Sequence, residues 1–106
     1  MGFFDFLRGP NINDGINQYK DTPGAVLIDV REKNEFSQGH IPGSKNVPLS
    51  EFDRIKSVVR DKSTPVFLYC LSGGRSSQAT AAMTSMGHSA VTNIGGISGY
   101  SGNLAR

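Results

Sequence analysis

Val66-Phe67-Leu68-Tyr69-Cys70-Leu71-Ser72-Gly73-Gly74-Arg75-Ser76 is the stretch on which the reading of this chain turns. Val66 to Tyr69 is apolar without alternation, as in a parallel strand covered on both faces. Cys70 closes it. Two glycines follow, then a helical pattern with Ala79, Ala82, Met83 and Met86 on one face and Gly87 as its stop. Ser76 or Ser77 is expected to open that helix. A strand ending in cysteine, a tight glycine loop and a helix start set the sulfur above main-chain N–H groups and the positive end of a helix. A thiolate, a persulfide, a sulfate-like ion or a phosphate would each suit that place.

Outward from this stretch, strand and helix patterns alternate. Asn13 to Lys20 fits a short helix capped by Asn13 or Asp14. Ala25 to Val30 is a second continuous apolar strand. Glu32 to Ser37 reads as a short helix, Gly39-His40-Ile41-Pro42-Gly43 as a loop, and Lys45 to Pro48 as a short strand. Ser50 is placed as the cap of a helix carrying Phe52, Ile55, Val58 and Val59. Ala90 to Ile94 is a last strand, and Gly95-Gly96 a tight turn. Alternation of this kind predicts a parallel sheet with helices on both faces, and ligands in such sheets bind at the strand C-termini. Asp29 and Cys70 both stand there, so both are placed on one rim of the sheet, where a site is expected.

The composition narrows the function classes. A chain of 106 residues makes one domain, and 37% hydrophobic with 19% charged residues is ordinary for a soluble one. A net charge of +2 with scattered Lys and Arg gives no footprint for nucleic acid or a membrane surface. A single cysteine makes no internal disulfide, redox pair or cysteine-based zinc cluster. No apolar run approaches the roughly 20 residues of a membrane span. The opening residues lack a secretory pattern, so the expected location is the cytoplasm. Residues 1–10 read as an appendage to a domain of residues 11–106. Its stripe of Phe3, Phe4, Phe6 and Leu7 is either a terminal turn packed on the domain or a docking element for a partner.

Nucleophilic cysteine chemistry requires the thiolate, and hence a lowered pKa. Gly73 and Gly74 let amides turn inward where a side chain would collide, and Arg75 adds a planar cationic fork suited to oxyanions. An inert buried cysteine is the ordinary alternative, and these flanking residues argue against it.

Cys70 to Ser76, together with Leu27-Ile28-Asp29-Val30-Arg31-Glu32, Glu35-Phe36, Gly39-His40-Ile41-Pro42-Gly43-Ser44 and Gly95-Gly96-Ile97, resembles the rhodanese (sulfurtransferase) homology domain in order and spacing. The likeness runs from about residue 12 to residue 100. It implies a small three-layer α/β/α domain with a mostly parallel, five-stranded sheet. It also implies a catalytic cysteine that alternates between thiol and persulfide. Four residues separate Cys70 from Arg75. Cysteine phosphatases, and family relatives with phosphatase or arsenate chemistry, have a loop one residue longer. The shorter ring of amides fits a single extra sulfur better than a phosphate.

The resemblance implies a thiosulfate sulfurtransferase. Cys70 would be the nucleophile, with Leu71, Ser72, Gly73, Gly74, Arg75 and Ser76 binding the transferred group. Thiosulfate or a persulfide would donate, and a thiol, cyanide or a protein would accept, with no cofactor and no metal. The alternative is a persulfide carrier or docking module that hands sulfur to a partner protein. A small phosphatase and a degenerate binding domain are the remaining readings, disfavoured by loop length and by Cys70 itself. Supporting places go to Asp29, Arg31, Glu35, His40 and Tyr100. Asp29 must be paired if buried, with Arg31, Arg75 or loop amides as partners. Glu35 can reach Arg31 at helical spacing. His40 either pins its turn or carries a proton, and His88 is expected to be exposed at a helix end. Arg75 points either at an incoming oxyanion or back into the fold. Tyr100 stands where the family usually has tryptophan and is expected to flank the pocket, with the final helix short or missing.

Overall fold

The computed structural model of the protein describes residues 10–106. The stripe of Phe3, Phe4, Phe6 and Leu7 lies outside the described residues. In chain order the elements are α1 (Ile12–Lys20), β1 (Val26–Asp29), α2 (Lys33–Gln38) and β2 (Lys45–Asn46). A 3-10 stretch (Leu49–Arg54) then runs into α3 (Ile55–Val58). After it come β3 (Val66–Cys70), α4 (Gly74–Ser85), β4 (Val91–Gly96) and a 3-10 turn (Ile97–Gly99). The strands pair in the order β2-β1-β3-β4, every pair parallel.

The apolar runs of β1 and β3 lack alternation because successive side chains enter two different cores. Ile28, Val66, Leu68 and Cys70 point to the face packed by Ala79 and Met83 of α4 and by Phe52 and Ile55. Leu27, Phe67 and Tyr69 point to the other face, against Ile12 and Ile16 of α1. The result is three layers, helix on sheet on helix, with β1 and β3 central and buried.

The expected five-stranded sheet has four strands among the described residues. The tail beyond Gly99 adds only an isolated antiparallel bridge, in which Ala105 and His40 exchange both main-chain hydrogen bonds at 2.8 and 2.9 Å. The last helical element is the 3-10 turn at Ile97–Gly99, and no helix follows Tyr100 among the described residues, in line with a final helix expected to be short or missing. Local boundaries also differ. Asn11, not Asn13 or Asp14, caps α1, its side chain accepting from the Asn13 amide at 2.9 Å. Ser50 caps nothing; its hydroxyl donates to Glu32 at 2.9 Å. α4 begins at Gly74, ahead of Ser76, because Gly73 at φ +103° turns the chain directly into the helix. Gly95-Gly96 is the end of β4 and not a tight turn. The register of β3 on β4 slips between Leu68 and Tyr69, so that Asn93 pairs with Leu68 and Gly95 with Tyr69, with Ile94 as the extra residue.

Candidate active site

β3 delivers Cys70 to the C-terminal edge of the sheet, and the chain folds straight back over it. The sulfur accepts a hydrogen bond from the Gly73 amide at 3.0 Å, and the Ser76 hydroxyl lies 3.4 Å away. The cysteine stands at the expected rim of the sheet and is only 1% exposed there. Its stem belongs to the α4-side core, while its own loop covers the sulfur. Burial by itself pushes the thiol up. The Ser76 hydroxyl and the amides of Ser76, Gly73 and Ser72 pull it down, and the balance leaves Cys70 below its ordinary pKa. The amide cradle read from the Gly-Gly sequence is therefore present and aimed at the sulfur.

The loop is fixed from β4. Gly96 sits so close beneath it that a Cβ there would overlap the Leu71 carbonyl and the Ser72 backbone. The Ser98 amide donates to the Leu71 carbonyl at 3.2 Å. Leu71, Ser72 and Gly74 face solvent, and Leu71 is one of two large apolar side chains exposed among the described residues, at 47%. The loop thus has an amide-lined underside and an apolar outer lip.

Arg75 points back into the fold. Its Nη1 lies 2.7 Å from Glu35 Oε1 and its Nη2 3.1 Å from Oε2, a fork-on-fork pair. The Arg75 guanidinium holds the Glu35 carboxyl down at about 2, against a smaller opposing effect of burial. Glu35 also accepts the Glu32 amide at 3.0 Å, closing the first turn of α2. The pairing of Glu35 with Arg31 expected from helical spacing does not form. Arg31 is taken up elsewhere: its Nε reaches Asp29 at 3.0 Å, and its Nη2 reaches Asp29 at 2.7 Å and the Gly39 carbonyl at 2.7 Å. Asp29 is fully buried and accepts the Arg31 amide as well, at 2.8 Å.

The remaining sequence candidates brace the surroundings. His40 Nδ1 lies 2.9 Å from the Phe36 carbonyl, and its ring stacks on Phe36 with centroids 3.7 Å apart. Tyr100 packs on the α1 side with Ile12 and Ile16, on the sheet face opposite the cluster that holds Cys70. Two further residues matter that the sequence reading passed over. The buried Tyr69 hydroxyl accepts the Ile41 amide at 3.1 Å and meets Ser44 at 3.0 Å, tying the Gly39–Ser44 loop to β3. Asn93 reaches from β4 into the loop. The Tyr69 hydroxyl in an otherwise apolar β3 was the available signal for the first; Asn93 stands beside Thr92 in a mixed strand, and no local pattern marks it.

A cysteine at the C-terminal end of a central parallel strand, under a glycine loop that feeds a helix, defines an α/β domain built around a cradled thiol. The chain belongs to the rhodanese-like domain family, whose family model matches residues 13–103. It is similar to the Escherichia coli thiosulfate sulfurtransferase PspE, with 41% identity over 71 residues, covering 66% of this chain and 68% of that protein. The Bacillus subtilis protein YqhL is 41% identical over 81 residues, which span 76% of this chain and 64% of that protein's length. A solved rhodanese from Escherichia coli, determined with anions, has a TM-score of 0.72 at 35% identity, covering 77% of this chain and 98% of its own. Among the described residues no helix is long and apolar enough to cross a membrane.

Proposed function

We propose that this protein is a cytoplasmic sulfurtransferase that moves a sulfane sulfur from thiosulfate or a persulfide donor to a nucleophilic acceptor. The observation that carries the proposal is the Cys70 sulfur seated on the Gly73 amide, 3.0 Å away, in a loop with four residues between Cys70 and Arg75. Family membership and the name of the PspE relative support it.

The cycle has two displacements. The Cys70 thiolate attacks the outer sulfur of thiosulfate. A sulfur–sulfur bond forms to Cys70, the donor's sulfur–sulfur bond breaks, and sulfite departs with the electron pair. The acceptor, a thiolate or cyanide, then attacks the outer sulfur of the persulfide, and Cys70 leaves as thiolate. The loop amides serve as donors to sulfur charge in both states. Because the thiol is already biased toward ionisation, no separate general base is required.

Thiosulfate should add the mass of one sulfur atom to the intact protein. The addition should map to Cys70, vanish in Cys70→Ser, and be removed by cyanide. A folded protein that takes up no sulfur from thiosulfate or from a glutathione persulfide would overturn the proposal. Ready persulfide formation with very slow cyanide turnover would instead identify a carrier that delivers to a protein.

A further inference from the structure

Asn93 touches the cradle at three points. Its Oδ1 accepts the Gly95 amide at 3.0 Å and lies 2.7 Å from Ser76 Oγ, and its Nδ2 donates to the Gly73 carbonyl at 3.3 Å. The Gly95 N–H fixes the orientation of the Asn93 amide, since a donor must face oxygen there and not the NH₂ group. Oδ1 can only accept, so in the 2.7 Å contact the Ser76 hydroxyl is the donor.

That hydroxyl has one proton and three acceptors around it. Asn93 Oδ1 is at 2.7 Å, the Gly73 carbonyl at 3.2 Å and the Cys70 sulfur at 3.4 Å. While the proton lies on Asn93, Ser76 shows Cys70 a lone pair, which suits a thiol S–H. To stabilise a thiolate the O–H must swing from Asn93 to the sulfur. We propose that Asn93 is a positioning residue that competes with Cys70 for the Ser76 hydroxyl proton and thereby sets how readily Cys70 ionises. In the sulfur-transfer reading on which this inference rests, persulfide formation moves the negative charge one atom outward, and the proton is released back to Asn93.

The charged groups that act near the sulfur are few. Arg75 on α4 acts on it only through its charge, with its fork held by Glu35, and Glu35 and Glu32 act on Arg75 from the α2 side. Ile28 of β1 and Val30 just beyond it belong to the Cys70 cluster, and β4 presents the uncharged Asn93, Gly95 and Gly96. The Asp29–Arg31 pair groups with Tyr69 on the other face. Asn93→Ala therefore reaches the sulfur by way of Ser76 without altering a charge.

The test is the rate of Cys70 alkylation by iodoacetamide across pH, followed by intact mass in the full chain. The variants are wild type, Ser76→Ala, Asn93→Ala and the double variant, arranged as a cycle. The reporter is the factor by which the Ser76 hydroxyl speeds alkylation below the thiol pKa. That factor should grow about three- to tenfold when Asn93 is removed, because the hydroxyl is then free to serve the sulfur; tenfold corresponds to one pKa unit. An equal factor with and without Asn93 would overturn the proposal, since a residue that merely holds the loop moves both arms alike. Should Asn93→Ala not fold, Asn93→Asp in the same cycle decides. Its carboxylate holds the hydroxyl more firmly, so the Ser76 factor should fall toward one, and an unchanged factor overturns the proposal. Alkylation needs no sulfur donor, so its outcome is separable from that of the persulfide assay.

Discussion

Arg75 and Glu35 meet face to face, two nitrogens on two oxygens at 2.7 and 3.1 Å, and so bolt the first turn of α4 to the first turn of α2. The side chains are 31% and 27% exposed, so the pair is screened in part and contributes little to global stability. Its effect is local. It spends the guanidinium fork on a protein carboxylate, and that leaves the loop amides and the Ser76 hydroxyl as the donors at the Cys70 sulfur.

Glu35→Gln should therefore lower stability by no more than about 1 kcal/mol in a urea titration. The same substitution frees Arg75 and should improve the affinity for anionic donors, read as a lower KM for thiosulfate. An unchanged KM would mean that the fork does not face the donor even when released. The acid behaviour follows from the sign of the shift. The Glu35 carboxyl is held down at about 2, so its stabilising contribution is complete above the ordinary carboxylate range and is lost as pH falls through about 2. A carboxyl-carbon NMR titration should show Glu35 protonating last among the glutamates as pH falls, so that it stays ionised to the lowest pH.

Asp29 and Arg31 make the opposite kind of pair. Both are buried, at 0% and 6% exposure, and the Arg31 fork also holds the Gly39 carbonyl. Removing one partner strands the other charge out of water. Asp29→Ala should cost about 3–5 kcal/mol, several times the Glu35→Gln effect, and should loosen the Gly39–Ser44 loop. Thermal denaturation of the two variants side by side checks the ranking. Equal losses would contradict the burial-based distinction.

The fold was legible in the sequence because its two central strands are apolar throughout and its loops are marked by glycine. Val66–Cys70 is found with the limits read from the residues, and the cradle over Cys70 follows from Gly73 and Gly74. What escaped was set by tertiary contact. Spacing along a helix offered Arg31 to Glu35, but Arg75 lies 40 residues away and reaches Glu35 only once β1 and β3 are paired. The slip at Ile94 that aims Asn93 at Ser76 depends on the register of β3 against β4, and no local pattern encodes it.

Gly96 carries a second consequence of that register. It pairs with Cys70, and the Leu71-Ser72 backbone rests on its bare α-carbon. Backbone cannot yield as a flexible side chain can. Gly96→Ala should destabilise by about 1–3 kcal/mol through overpacking. It should also lift the loop from the sulfur, so that the Cys70 alkylation profile moves to higher pH. Gly74→Ala is the control, since a Cβ there meets nothing within 4 Å. A Gly96→Ala protein with an unmoved profile would show that the amides hold their aim without this contact.

His88 supplies the last prediction. It was expected at the surface, yet it is 4% exposed, and neither ring nitrogen has a hydrogen-bond partner. Gly87, at φ +99°, turns the chain after α4, and the His88 amide bonds back to the Met83 carbonyl at 3.1 Å, which draws the ring inward. Burial, with a smaller push from the Lys62 charge, keeps the imidazole neutral and its pKa below the ordinary value of 6.5. The folded state thus binds the proton less readily than the unfolded chain. Stability is complete above pH 6.5 and declines as pH falls below it. Urea midpoints at about pH 7.5 and pH 5.5 should differ in wild type and differ less in His88→Phe, which keeps the ring and discards the titration. Parallel pH dependence in the two proteins would show that this imidazole ionises freely in the fold.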